Sequence, residues 1–119
     1  MTAPATDDPQ KFSILYVDDE QQSLKYFKKV FGKRFNVITA PDAQAAFGIL
    51  TERHEEIAMV IADQRMPGEK GVQFLARTKD LQPRIIRILA TAYMDVEPLI
   101  EAVNVAKIHH YVCKPWDVS

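Results

Sequence analysis

Apolar residues along this chain gather into five short runs, separated by stretches in which they recur every three or four positions. The first run, Phe12 to Val17 (FSILYV), breaks off at three acids, Asp18, Asp19 and Glu20. A continuous apolar run ending in charge reads as a buried strand. Leu24, Phe27 and Phe31 follow at helical spacing, with Gly32 as a stop, before a second strand-like run, Phe35 to Thr39. Pro41 and Asp42 open a helix whose Ala43, Ala46, Phe47 and Leu50 keep to one face. Ile57 to Ala62 (IAMVIA) is a third apolar run, ended by Asp63 and the loop Gln64 to Lys70 with its Met66, Pro67 and Gly68. Val72, Leu75 and Ala76 mark a third helix, closed around Pro83, and Arg84 to Ala90 (RIIRILA) reads as a fourth strand running into Thr91 and Ala92. Asp95 is placed to cap a fourth helix with Val96, Leu99, Ile100 and Val103 on its apolar face, Pro98 being tolerated in the first turn. A fifth strand, His109 to Cys113, leads into Lys114, Pro115 and Trp116.

Strands that are apolar on both faces and alternate with amphipathic helices imply an α/β fold, a parallel sheet covered by helices on each side. Right-handed crossovers restrict the topology, and a flavodoxin-like, doubly wound five-stranded sheet of order 2-1-3-4-5 is expected. At 119 residues the chain is one domain, read as a flexible tail over 1–11 followed by the folded unit over 12–119.

Composition narrows the function classes. Fifteen Lys and Arg nearly balance sixteen Asp and Glu, which argues against direct nucleic-acid binding. No apolar run approaches the roughly 18 residues of a membrane span, and the first ten residues lack a signal peptide's apolar core, so no membrane contact and a cytoplasmic location are expected. The single cysteine, Cys113, allows no internal disulfide and is read as a small core-filling side chain.

The chemistry gathers at one edge. In an open parallel sheet, ligands bind at the carboxyl ends of the strands, and there the pattern delivers Asp18 and Asp19, Asp63, Thr91 and Lys114. Carboxylates about 4 Å apart repel by roughly 4 kcal/mol per pair at an effective dielectric near 20, so three of them call for positive charge beyond Lys114. Without a His or Cys cluster, a hard, oxygen-preferring ion is implied, and Mg2+ fits best. Such a pocket suits phosphoryl transfer, with Asp63 as in-line nucleophile, Thr91 and backbone N–H groups holding phosphoryl oxygens, and the cation and Lys114 neutralising charge.

The segments YVDDE, ADQRMPG, LATAY and YVCKPW, in that order over residues 12 to 116, resemble the response-regulator receiver (CheY-like) family of two-component signalling. The resemblance implies that Asp63 accepts a phosphoryl group from a partner histidine kinase, that Asp19 binds Mg2+ directly and Asp18 through water, and that the Arg65 carbonyl is a further ligand. It also implies a switch pair, Thr91 and Tyr111, a Lys114 that pairs with the phosphoryl group and precedes a cis proline, and positions Gln64, Arg65 and Tyr93 that tune phosphate lifetime. By the same resemblance the domain is a switch acting on an output domain or downstream protein. It is not an enzyme beyond its own phosphorylation and slow dephosphorylation.

The alternative is a pseudo-receiver that binds partners without phosphorylation; the presence of all five key side chains argues against it. A phosphatase of the haloacid-dehalogenase type would carry Asp-x-Asp at the first strand, where this chain has adjacent acids. Glu20 is read as a first-turn helix acid rather than a metal ligand. His54, His109 and His110 are read as surface or core residues, Lys25, Lys28, Lys29, Lys33 and Arg34 as a solvated face, and Trp116 as a packing anchor. The sequence ends at Ser119, where the family's fifth helix normally begins, so that helix is expected to be absent or truncated. The chain is then read as a fragment of a longer regulator or as a homodimer formed over the uncovered surface.

Overall fold

The computed structural model describes residues 12–92 and 96–114, with the side chains of 96–98 also outside the description. The proposed tail 1–11, the Asp95 cap, Tyr93, the Lys114–Pro115 peptide geometry, Trp116 and the question of a fifth helix therefore lie outside the described residues.

The elements run β1 (Ser13–Val17), α1 (Gln21–Phe31), β2 (Asn36–Ala40), α2 (Ala43–Arg53), β3 (Ile57–Asp63), α3 (Gly71–Leu81), β4 (Ile86–Thr91), α4 (Val96–Glu101) and β5 (His110–Cys113), with a π-helical turn, Ala102–Ala106, continuing α4. All strand pairings are parallel, in the order β2-β1-β3-β4-β5, as the sequence pattern predicts. The side chains of one face, among them Leu15, Val17, Val60, Ala62 and Leu89, pack with Ala46 and Leu50 of α2, Leu75 of α3, and Ala102 and Ala106. The opposite face, Tyr16, Val37, Ile61, Ile88 and Ala90, packs against Phe27 of α1. Alternation along each strand feeds both cores, which is why the runs read as unbroken.

Helix ends follow local chemistry. Asp42 caps α2 by accepting from the Ala45 N–H at 2.8 Å. At the start of α3, Gln73 Oε1 accepts from the Lys70 N–H at 3.1 Å, and Pro83 follows two residues after the helix. Strands β1, β2, β4 and β5 start one or two residues later than expected, β2 and β4 because backbone groups are already committed to turns. Phe35 N–H bonds to Phe31 O at 3.0 Å, so β2 begins at Asn36, and Ile85 N–H bonds to Gln82 O at 3.2 Å, so β4 begins at Ile86.

The fourth helix departs further from the pattern. Its buried residues are Ala102 and Ala106, while Ile100 and Val103, assigned to the apolar face, are 54% and 51% exposed. Small side chains four apart let the widened turn approach α3, and the change from α to π spacing turns the larger residues outward. Cys113 is likewise exposed rather than core, since β5 is an edge strand.

Arg87 is a residue whose placement the pattern does not predict. It lies in β4, is 4% exposed, and donates from Nε to Ala106 O, from one terminal nitrogen to Pro83 O and Ile85 O, and from the other to Lys107 O, at 2.8–3.1 Å. Its own N–H is accepted by His109 Nδ1 at 2.9 Å. The guanidinium thus ties the entry of β4 to the end of the π-helical turn, where Lys107 takes a left-handed φ of 51°. Burial lowers its pKa from the usual arginine value.

Candidate functional site

The sheet ladder sets each functional side chain by extending past its last paired residue. Asp18 N–H bonds to Ala40 O at 3.1 Å, Gln64 N–H to Ala90 O at 2.9 Å, and Lys114 N–H to Thr91 O at 2.8 Å. Main-chain bonds therefore fix Asp18 and Lys114, and hold Asp63 between β3 and the residue after it. Asp19, Glu20, Asp63, Arg65, Thr91, Ala92 and Lys114 line a cavity of about 280 Å³. Of the five residues expected at the carboxyl edge, Asp19, Asp63, Thr91 and Lys114 line it, and Asp18 lies buried behind Lys114.

Lys114 is the hub. Its ammonium lies 2.8 Å from Asp18 Oδ2, 3.2 Å from Asp63 Oδ1 and 3.4 Å from Glu20 Oε1, with the lysine side chain only 7% exposed. Burial alone would lower its pKa, but the hydrogen bond to Asp18 and the charges of Asp63 and Asp18 outweigh this and raise it above the ordinary lysine value. Asp63 moves further. Burial, reinforced by the neighbouring Asp18 charge and opposed by Lys114, pushes its carboxyl from 3.8 up to about 6.

Asp18 is wholly buried and its oxygens are occupied from three sides: Oδ2 accepts from Tyr16 Oη at 2.6 Å and from Lys114, and Oδ1 accepts from the Glu20 N–H at 3.0 Å. Carboxylate oxygens of Asp18, Asp19 and Asp63 lie within 4.8 Å of one another. This all-oxygen donor set fits a hard divalent ion such as Mg2+ and offers no soft ligand for Zn2+ or Cu+.

Not every expected residue faces the cavity. Gln64 is buried and turned away: its Oε1 accepts from the Val72 N–H at 3.0 Å, so its side chain braces the start of α3 instead of walling the pocket. Tyr111 is half-buried against the core on the α3 side of the sheet and stands opposite Leu89 in the β4–β5 register. Glu20 is the N-cap residue of α1 and not a first-turn acid, and its carboxylate reaches Lys114.

Two contributions escaped sequence reasoning. Tyr16 was legible in principle, as a hydroxyl inside an aliphatic strand needs a partner. Gly71 was not. A Cβ there would lie 2.4 Å from Asp63 O and 3.0 Å from Gln64 Cα, so only glycine lets α3 begin against the main chain of Asp63. Gly68, with φ of 80°, turns the intervening loop.

Comparison with known proteins agrees with this geometry. The family described as response regulator receiver domain matches residues 14–119. The hydrogenase transcriptional regulatory protein HoxA of Cupriavidus necator is 36% identical over 104 residues, 87% of this chain but 21% of that protein. The chain thus spans about a fifth of that relative's length. Sporulation initiation phosphotransferase F of Bacillus subtilis is 28% identical over 107 residues, covering 89% of this chain and 84% of that one. The signal receiver domain of an HD domain-containing protein from Pseudomonas fluorescens Pf-5 superposes with a TM-score of 0.85 at 30% identity, covering 91% of this chain and 86% of that one.

Proposed function

The chain belongs to the response regulator receiver domain family, and on that premise we propose that it is a phosphorylation-controlled switch in which Asp63 accepts a phosphoryl group from a partner histidine kinase. The observation that carries this reading is the buried Asp63 carboxylate, 3.2 Å from the Lys114 ammonium and beside Asp18 and Asp19, at the open edge of the sheet.

In the proposed step an Asp63 carboxylate oxygen bonds to phosphorus as the phosphorus–nitrogen bond of a phosphohistidine breaks. The imidazole nitrogen keeps the electron pair. Asp19 directly, Asp18 through water, Asp63, and the Arg65 carbonyl would hold Mg2+, which when bound would neutralise charge on the transferring group. Lys114 moves its ammonium from the carboxylates to the phosphoryl oxygens, and the Thr91 hydroxyl hydrogen-bonds another of them. Of the three positions assigned to phosphate lifetime, Gln64, Arg65 and Tyr93, Arg65 is the one at the cavity wall, while Gln64 would act through the start of α3.

Added negative charge at the end of β3 then biases the Thr91 and Tyr111 side chains and the surface they support. That surface acts on an output domain or downstream protein. The HoxA relative, named as a transcriptional regulatory protein and nearly five times longer than the matched segment, supports an output domain outside this region.

Intact-mass spectrometry after acetyl phosphate treatment tests the reading. A gain of one phosphoryl group that requires Mg2+ and is lost in Asp63→Asn supports it. No adduct, together with no binding of BeF3−, overturns it in favour of an unphosphorylated interaction module.

A further inference from the structure

Tyr16 and Asp18 are two residues apart where β1 leaves the sheet, so their side chains share a face. The Tyr16 ring is wholly buried and stacks on Phe27 with centroids 4.4 Å apart and planes at 19°. That packing fixes the ring without help from the hydroxyl, which is aimed at the same Asp18 oxygen that Lys114 uses, at 2.6 Å against 2.8 Å for the ammonium. A phenol and an ammonium thus share one oxygen of a buried carboxylate, from the core side and the cavity side.

We propose that Tyr16 is a positioning residue for phosphoryl transfer: it holds Asp18 in the orientation the site needs and keeps that buried carboxylate hydrogen-bonded when Lys114 turns to the phosphoryl group. Lys114 alone could not do both. Once the ammonium leaves, Asp18 would keep only the Glu20 N–H on its other oxygen among the donors identified above, and the departure would be opposed by an undercompensated buried charge. A donor anchored in the sheet removes that opposition. It also fixes the carboxylate plane towards Asp19 and Asp63, in the way that outer-shell partners orient metal ligands.

This inference rests on the reading of Asp63 and Mg2+ above, and its test separates the two. Tyr16→Phe keeps the ring and its stacking. Calorimetric titration with MgCl2 in the absence of any phosphodonor is expected to give an affinity about tenfold weaker in the variant. In an Asp18→Ala background the same change should cost less than about twofold, because the acceptor is gone. Equal Mg2+ affinity in Tyr16→Phe and wild type, or a full loss that persists in Asp18→Ala, overturns the assignment while leaving Asp63 chemistry standing. A wild-type protein that takes up no Mg2+ overturns the metal reading and this one with it.

A measurement on the unaltered protein guards against a variant that fails to fold. A hydroxyl proton so enclosed should exchange slowly and resonate downfield, and it should shift along the Mg2+ binding curve and again on addition of BeF3−. A Tyr16 hydroxyl signal that ignores both additions refutes the proposal.

Discussion

Replacing Asp63 by Asn should make the domain more stable above pH 6, and the size of the effect follows from the site. In the folded chain the Asp63 carboxyl stands at about 6 against an ordinary value of 3.8, a rise of about 2 pH units, or about 3 kcal/mol at roughly 1.4 kcal/mol per unit. Between those values the native state holds a proton that the unfolded chain has released, so stability falls as pH rises. The contribution is fully present below pH 3.8 and is lost as pH passes through 6. Asn carries no charge and lacks this loss. The assay is urea unfolding of both proteins in EDTA, from pH 4 to 8. The difference in unfolding free energy, Asn minus Asp, should climb from pH 4 and level off above pH 7, having risen by about 1–3 kcal/mol. Lys114 does not confuse the comparison, because its pKa is raised above the ordinary lysine value and it stays charged throughout. A difference that is flat across this range would refute the argument that Asp63 is destabilised by burial and by Asp18.

Four other outcomes follow. Because Mg2+ must displace the Asp63 proton, calorimetric affinity should weaken as pH drops below 6, approaching tenfold per unit. Lys114→Met leaves two buried carboxylates without their ammonium and should cost about 3–5 kcal/mol at pH 7 in urea melts, with part of the loss recovered by millimolar Mg2+. Gly71→Ala drives a methyl into the Asp63 main chain and should cost about 1–3 kcal/mol, while slowing phosphorylation by acetyl phosphate, read by intact mass. Arg87→Met strands four carbonyls and should lower stability by at least about 3 kcal/mol, with amide exchange in 99–109 rising most.

The parts of the fold legible from the sequence were those written in apolar runs. Parallel strands flanked by two cores show unbroken hydrophobicity, and in β1 and β3 the run stops at an acid of the site, as Val17–Asp18 and Ala62–Asp63 do. Strand order, the four helices among the described residues and the gathering of Asp18, Asp19, Asp63, Thr91 and Lys114 were therefore accessible. Strand starts were not, because Phe35 and Ile85 are apolar yet spend their N–H groups on turns. The α4 face was misread because spacing at 3.6 residues fails across a π-helical turn, and Ile100 and Val103 look like core to any periodicity argument. Gln64 was placed near the pocket by the family resemblance, which does not say which way a side chain next to a strand end turns, and here it turns back to the start of a helix. Glycine carries no signal of what it lies against, so Gly71 could not be tied to Asp63 before the helix was placed.

The joint around Arg87 stores its information unevenly. Its acceptors are the carbonyls of Pro83, Ile85, Ala106 and Lys107, and every amino acid brings the same carbonyl. Side chains at those four positions can therefore drift without removing an acceptor, whereas the donor fork exists in one residue type. Inheritance of the guanidinium's four bonds rests on a single codon. For those bonds covariation has no second side chain to act on, because on the other side the partner is the peptide backbone, which does not mutate.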